Sequence, residues 1–465
     1  MVPEQTIHGR LSFSPQEGIY LELDGYLGKS RHGDDRTWPI ICGETRAGDD
    51  CTLLEAHELS HSVSYHQVKS PSQISKLRAT YCLVGHHFHD PSSLKFSSAA
   101  VEYSNLTAWM GRRPFARTHP RSENDLRHSL TFTQPPNIRI SVKKLGFVQT
   151  FGCWFESGGE SSQERGMRYG ESVIFRPRRK QEFAWFVERM LQFRNLLCLL
   201  MVEPTKYERI NLQFGKHLHP DPRIMIKDCV SLLFRQPWSE VKVRPLDSFF
   251  IPLDHSTIKR EFPIILANWY ERYGELTPVM DLFFLPIYNQ SLNVEFQFLG
   301  LLQALEAFHR FTLPGSYLSV DEYKSTREYL VSQIPSGLTR DHKAALTSKI
   351  QYGYEFSFRK KLSRLVGVIT KDTMRKITGG EDPDGFIGRV VVTRNYLTHY
   401  DQSLKDSAMS PVEMIRANHS LRIFLTLLIL REIRVPADLA LKRLTERGHL
   451  KLPIFPAENG GYGRE

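Results

Sequence analysis

The sequence predicts an α+β, multidomain chain in which a β-rich N-terminal domain is followed by an all-α helical bundle. Two observations predict it. Up to about residue 175, short alternating segments are broken by Gly, Pro, Asp and Ser, the punctuation of strands and turns. Beyond about residue 291 the apolar spacing lengthens to the helical period, and helix-start signals stand at the heads of the apolar runs. No internal repeat or low-complexity tract interrupts either half.

Leu11-Ser12-Phe13, Ile19-Tyr20-Leu21-Glu22-Leu23, Cys51-Thr52-Leu53-Leu54 and Ile138-Arg139-Ile140-Ser141-Val142 read as strands, and residues 156–172, rich in Gly, Ser and Glu, as an exposed loop. Phe183 to Val202 is the first long helix. It is apolar but carries Glu188, Arg189, Arg194 and Asn195, so it reads as a buried helix and not a membrane span; Leu421 to Leu430 is too short to span. Ser319-Val320-Asp321-Glu322 is a capping box opening a helix to Gln333, and Asp341 to Val368 is helical with a break at Gly353. In GGEDPDGF, Asp382 is an N-cap and Pro383 fills the first helical position, where its missing N–H costs nothing. Ser410-Pro411-Val412-Glu413 opens one more helix, whose apolar run reaches Val435 before Pro436, and this leaves Tyr400 to Met409 as a loop. The expected divisions are 1–205, β-rich; 206–290, a mixed connecting region belonging with the first; 291–448, the helical domain; and 449–465, a tail.

At 465 residues, with 41% hydrophobic and 24% charged residues, the chain has ordinary globular usage and ample material for a core. Six cysteines without C-x-x-C spacing suit a reducing cytosol, and MVPEQTIHGRLSFSP lacks the apolar core of a signal peptide, so a cytoplasmic location is expected. The net charge of +10 is compatible with a polyanionic partner. Its clusters, Arg176-Arg178-Arg179-Lys180, Arg112-Arg113 and Lys143-Lys144, read as solvated faces, because phosphate tracks usually interleave cations with stacking aromatics. No Walker, G-x-G-x-x-G or G-x-S-x-G sequence is present, so nucleotide hydrolysis, dinucleotide binding and α/β-hydrolase chemistry have no positive signal.

Three segments offer chemistry. In VVVTRNYLTHYD, residues 390–401, Ile387, Val390, Val391, Arg394, Leu397 and Thr398 recur at helical spacing, which projects Arg394 from a face its neighbours bury, while Val391, Asn395 and His399 run beside it. A guanidinium to hold phosphate oxygens and an imidazole to relay protons are the minimum kit for phosphodiester chemistry in RNA. The plainer alternative is a helix end whose Arg and His answer the C-terminal dipole. His57-Glu58-Leu59-Ser60-His61 is a literal H-E-x-x-H, but zinc protease chemistry needs it on a helix, and the strand-like Cys51–Leu54 leads straight into it while Glu55 puts a charge at its flank. Gly85-His86-His87-Phe88-His89-Asp90 reads as a polar turn, its adjacent histidines facing opposite ways.

Arg, a polar residue, three more residues and His, late in a helix of an all-α domain, resemble the signature of the HEPN ribonucleases. FQFLGLLQALEAFHR, residues 296–310, resembles the first long helix of that domain, with Glu306 at its acidic position. GRLSFSPQEGIYLELDG, CGETRAGDDCTLLEA and YCLVGHHFHDPSSLKFSSAAVEYSNLTAWM resemble the N-terminal domain of the ApeA family of prokaryotic anti-phage proteins. The resemblance implies an endoribonuclease needing no metal or other cofactor, with a homodimeric site and RNA as substrate, transfer RNA being a candidate. It implies catalytic Arg394 and His399, an orienting Asn395, and a supporting Glu306 that pairs with Arg394. It also implies a setting of phage defence by abortive infection, with a phage-derived trigger sensed by the N-terminal domain and no membrane partner. HEPN domains also serve as non-catalytic nucleic-acid or protein interaction modules, and that is the alternative reading.

Overall fold

The structure, a computed structural model, describes residues 6–27, 36–64, 72–118, 129–143, 145–157, 166–215, 228–236, 241 and 243–453. The chain divides into two compact units, Met1–Ala267 and Asn268–Glu465.

The first unit is built on a 12-stranded sheet among the described residues. Its strands lie in the order Gly9–Ser14, Gly18–Leu23, Ser72–Ala79, Asp50–Ser64, Tyr81–Val84, Cys229–Phe234, Tyr207–Gln213, Ser98–Tyr103, Gly166–Arg176, Gly146–Ser157 and Arg139–Val142, with Thr37–Glu44 paired to Asp50–Ser64 off this path. Neighbouring strands run antiparallel, which suits the alternating sequence pattern. Segment 206–290 contributes to both units, supplying two strands at the middle of this sheet and helices beyond it. The expected loop over 156–172 is shorter than the sequence suggests: strand pairing continues to Ser157↔Gly166, so residues 156–157 and 166–172 are ladder, and 158–165 lie outside the described residues. The backbone of that stretch is satisfied across the pair. At Gly146, φ is +97°, and an added Cβ would lie 2.4 Å from the Arg176 carbonyl oxygen, so no side chain fits that turn.

Three helices belong to this unit: α1 (Leu106–Met110), α2 (Phe183–Met201) and α3 (His255–Ile258). Helix α2 packs on the sheet through Phe193 against Phe175, ring centroids 5.7 Å apart, and through Tyr103, whose hydroxyl donates to the Met190 carbonyl at 2.9 Å. Arg194, buried within it, donates to Asn195 Oδ1 at 2.9 Å and lies over the Tyr207 ring at 5.7 Å. Among the described residues no helix is long and apolar enough to cross a membrane.

Helix α4 (Phe262–Arg272) crosses the division, and the second unit is helical. Its elements are α5 (Thr277–Tyr288), α6 (Val294–Thr312), α7 (Val320–Ser332), α8 (Arg340–Gln351), α9 (Phe358–Ile369), α10 (Lys371–Ile377), α11 (Pro383–His399), α12 (Pro411–Glu432) and α13 (Ala437–Glu446). Both predicted capping boxes form, at Ser319/Glu322 and Ser410/Glu413. The core is apolar along α6, α9 and α12, where Leu305, Leu365 and Phe424 are buried. Two expectations are corrected. The break at Gly353 is a full separation of two helices: an added Cβ at Gly353 would lie 2.3 Å from the Tyr323 hydroxyl, which donates to the Ile350 carbonyl at 2.7 Å and so ties α7 to the end of α8. The segment Tyr400–Met409 contains a 3-10 helix, Gln402–Ser407, whose N-cap Asp401 accepts from the Ser403 N–H at 3.0 Å.

Each unit holds a histidine kept neutral. Burial first, then Arg112 and Lys259, push His255 down to about 4 against an opposing Asp254; burial, then Arg422, push His419 down to about 4 against its bond to the His449 carbonyl. Unfolding releases both to an ordinary histidine pKa near 6.5, so stability is full above about pH 6.5 and declines as pH falls toward about 4. Thermal unfolding is expected to shift down by roughly 5 °C or more between pH 7.5 and pH 5. A midpoint unchanged over that window contradicts the assignment.

Candidate active site

Helix α11 starts as the sequence predicts, with Asp382 accepting from the N–H groups of Asp384 and Gly385, both at 3.1 Å. Its buried face consists of Phe386, Ile387, Val390 and Thr393. Arg389 fixes it to the start of α12: Nε and Nη2 take both oxygens of Glu381 at 3.0 and 2.8 Å, and Nη1 takes Glu413 of the capping box at 2.9 Å. The buried Thr393 hydroxyl donates to the Arg389 carbonyl at 2.8 Å and accepts from the Met409 N–H at 3.0 Å, which holds the far end of the connection. Gly388 admits α9 closely, since a Cβ there would lie 2.7 Å from Arg359 Nη2. The site helix is thereby fixed along both flanks.

Arg394 stands at the margin of the buried face and not in it. Val391 and Leu397 are only partly buried and Thr398 is exposed, because the core-facing stripe follows Val390 to Thr393 and leaves Arg394 to one side. Its guanidinium carbon lies 5.5 Å from the centre of the Phe358 ring on α9, and Nη1 donates to Asn395 Oδ1 at 3.3 Å. His399 is exposed on the last turn, where Tyr400 ends the helix in a left-handed conformation, φ +50°. Asp401 follows, its carboxyl held below the usual range by hydrogen bonds from Ser403 and, to a smaller degree, by His399. Arg394 and His399 are five positions apart, which places them about 140° apart around the helix and ~7.5 Å apart along it. Asn395 and His399, four apart, share a face. In one protomer the cation and the imidazole therefore diverge.

Glu306 does not pair with Arg394. Its carboxylate accepts from Lys361 Nζ at 2.8 Å, and Lys361, on α9, is buried. Desolvation explains the pairing: an ammonium under apolar neighbours requires a counterion, and Glu306 on α6 is within reach. Sequence reading missed both Lys361 and Phe358, yet a signal existed. Phe358, Lys361, Leu362 and Leu365 recur at helical spacing, so Lys361 is a charge on an apolar stripe, the same anomaly that drew notice to Arg394.

The H-E-x-x-H motif lies within the strand Asp50–Ser64. His57 pairs with Arg78 and His61 with Ser75, with a register shift between Glu58 and Ser60. Arg78 and Ser75 are three residues apart on one strand and face opposite ways, so the two histidines do too. His61 instead bonds Ser75 Oγ at 3.0 Å, and the shared zinc face is missing. At the second cluster His87 Nε2 sits 2.9 Å from the Gly43 carbonyl and His89 Nδ1 3.7 Å from Cys42 Sγ, while His86 stacks on Phe214. Among the described residues no group of three or more His, Cys, Asp or Glu is placed to hold a metal ion. Of the basic clusters, Arg178 and Arg179 are exposed and Lys180 caps the Phe214 carbonyl, while Lys144 lies outside the described residues. Arg112 departs from the expected solvated face: it pairs at 3.3 Å with Glu171, whose own pKa burial raises despite the cation.

Residues 299–439, which include α11 with Arg394, Asn395 and His399, match the family model described as Apea-like HEPN. Residues 2–269 match ApeA N-terminal domain 1, more than half of the chain. The chain belongs to the ApeA family and is a HEPN-containing defence protein. Searches of the curated proteins and of the solved structures returned no match.

Proposed function

We propose that the protein is a metal-independent endoribonuclease whose active cleft is completed by a second copy of its HEPN domain. The carrying observation is the divergence of Arg394 and His399 on α11. One protomer presents them in different directions, while two facing helices bring two of each to a single cleft. Half-exposed Val391, Val392, Tyr396 and Leu397 around them supply apolar surface to bury against that copy.

One His399 takes the proton of the ribose 2′-hydroxyl as its oxygen attacks phosphorus, and the second, or a water, protonates the departing 5′-oxygen. Arg394 holds the phosphate oxygens as charge accumulates on them, while Asn395 Oδ1 and the Phe358 ring restrain the guanidinium. The products are a 2′,3′-cyclic phosphate and a 5′-hydroxyl. Transfer RNA is the candidate target, and the N-terminal unit is the candidate sensor of an infection signal.

Purified protein incubated with RNA in excess EDTA tests this reading. Undiminished cleavage is expected, with activity per protomer falling on dilution as the dimer dissociates; cleavage abolished by EDTA and restored by a divalent metal contradicts it.

A further inference from the structure

We infer that the N-terminal unit carries a binding site for a nucleoside phosphate, formed between α2 and the sheet and separate from the HEPN residues. A cavity of about 400 Å³ is walled there by Tyr81, Tyr207, Phe234 and Met190, and Arg78, Arg235 and His57 line it too. The rings pack on one another, Tyr207 against Phe234 at 5.4 Å and Tyr81 against Phe234 at 6.0 Å, so they form a fixed aromatic wall. Arg78 and Arg235 also line a second, more polar cavity of about 660 Å³ together with Arg10, Lys76 and Tyr20. The two arginines thus stand between an apolar chamber and a basic one.

The charge in this place is not spent on carboxylates. Arg78 and Lys76 lie over the Tyr20 ring, at 5.8 and 5.5 Å, and Arg235 uses Nε on the Gln16 carbonyl at 2.9 Å. No ion pair engages Arg10, Lys76, Arg78 or Arg235 among the described residues, although Glu22 is the cross-strand neighbour of both Arg10 and Lys76 and Glu17 also lines the cavity. Four cations against two carboxylates favour an anion, and the aromatic chamber favours a flat ring beside it. A nucleoside phosphate joins those two parts: its base stacks on the tyrosine and phenylalanine wall, and its phosphates reach the guanidinium forks. The cavity volume lies within the usual range for small-molecule sites. His57, stranded by the failed zinc pattern, finds its place here opposite Arg78 on the paired strand.

The test uses the full-length protein and isothermal titration with ATP, GTP, AMP and GMP, with adenosine, guanosine and inorganic triphosphate as part-ligands. At least one nucleotide is expected to bind, with its nucleoside and the triphosphate each weaker by about tenfold or more. Arg78→Gln and Arg235→Gln should each lower that affinity about tenfold with only a small shift in the thermal midpoint of the free protein, and Val187→Trp, which fills the chamber, should remove the contribution of the base. His399→Ala should bind as the wild type does, which separates this site from the RNA cleft. Absence of binding by every nucleotide overturns the inference, as does triphosphate binding as tightly as ATP and GTP, or binding that both arginine variants retain. Occupation by an acidic aromatic peptide with no nucleotide binding overturns it as well.

Discussion

His399→Ala is expected to lower RNA cleavage at least about a hundredfold in rate while the protein stays folded, and Arg394→Ala is expected to do the same. The imidazole is exposed at a helix end and makes no buried contact, so its loss leaves the thermal midpoint where it was. Arg394 gives up one 3.3 Å hydrogen bond and a ring contact at the margin of the core, which is a small stability loss beside the chemical one. In the composite cleft proposed above, a substitution would remove the group twice from every site. Rate measured on one RNA with midpoint measured in parallel checks this; two variants that cleave normally reduce the Arg/His grouping to a helix end.

Glu306→Ala produces the second large effect, and it falls on stability. The substitution strands the buried Lys361 ammonium, and a cation without its partner costs about 3 kcal/mol, less than a fully enclosed pair because the carboxylate is partly open to water. The midpoint of the helical unit is expected to fall roughly 6–12 °C. Glu306→Ala combined with Lys361→Met should recover most of the loss, since no charge then remains to be satisfied. Cleavage should follow stability, because α9 carries both Lys361 and the Phe358 ring beside Arg394. A single variant of normal stability that cleaves as poorly as Arg394→Ala places Glu306 in the chemistry instead.

What was legible in the sequence was local. Asp382, Pro383 and the two capping boxes act within one helical turn, so their consequences follow from neighbouring residues, and the helices begin where those residues stand. The HEPN and ApeA resemblances gave the fold class by pattern. Non-local pairing was not legible. Glu306 and Lys361 meet across 55 residues, and which cation Glu306 would choose depended on how α6 packs on α9. The strand that defeats the H-E-x-x-H motif as a zinc site was legible from Cys51–Leu54, whereas the register shift against the strand Ser72–Ala79, which turns the two histidines to opposite faces, was not. Gly353 announced the break, but the close approach of the Tyr323 hydroxyl, thirty residues earlier, was not legible. The candidate residues were singled out because charge on an apolar stripe is anomalous without any partner being known; Lys361 carried the same anomaly and was passed over.

The chemistry of the RNA ends tests the central claim most directly. RNA cut by the wild type in EDTA should carry 2′,3′-cyclic phosphate or 3′-phosphate on the upstream fragment and 5′-hydroxyl on the downstream one, and His399→Ala should leave no such ends. Upstream fragments ending in 3′-hydroxyl, or the same ends made by His399→Ala, contradict 2′-hydroxyl attack by a paired Arg394–His399 site.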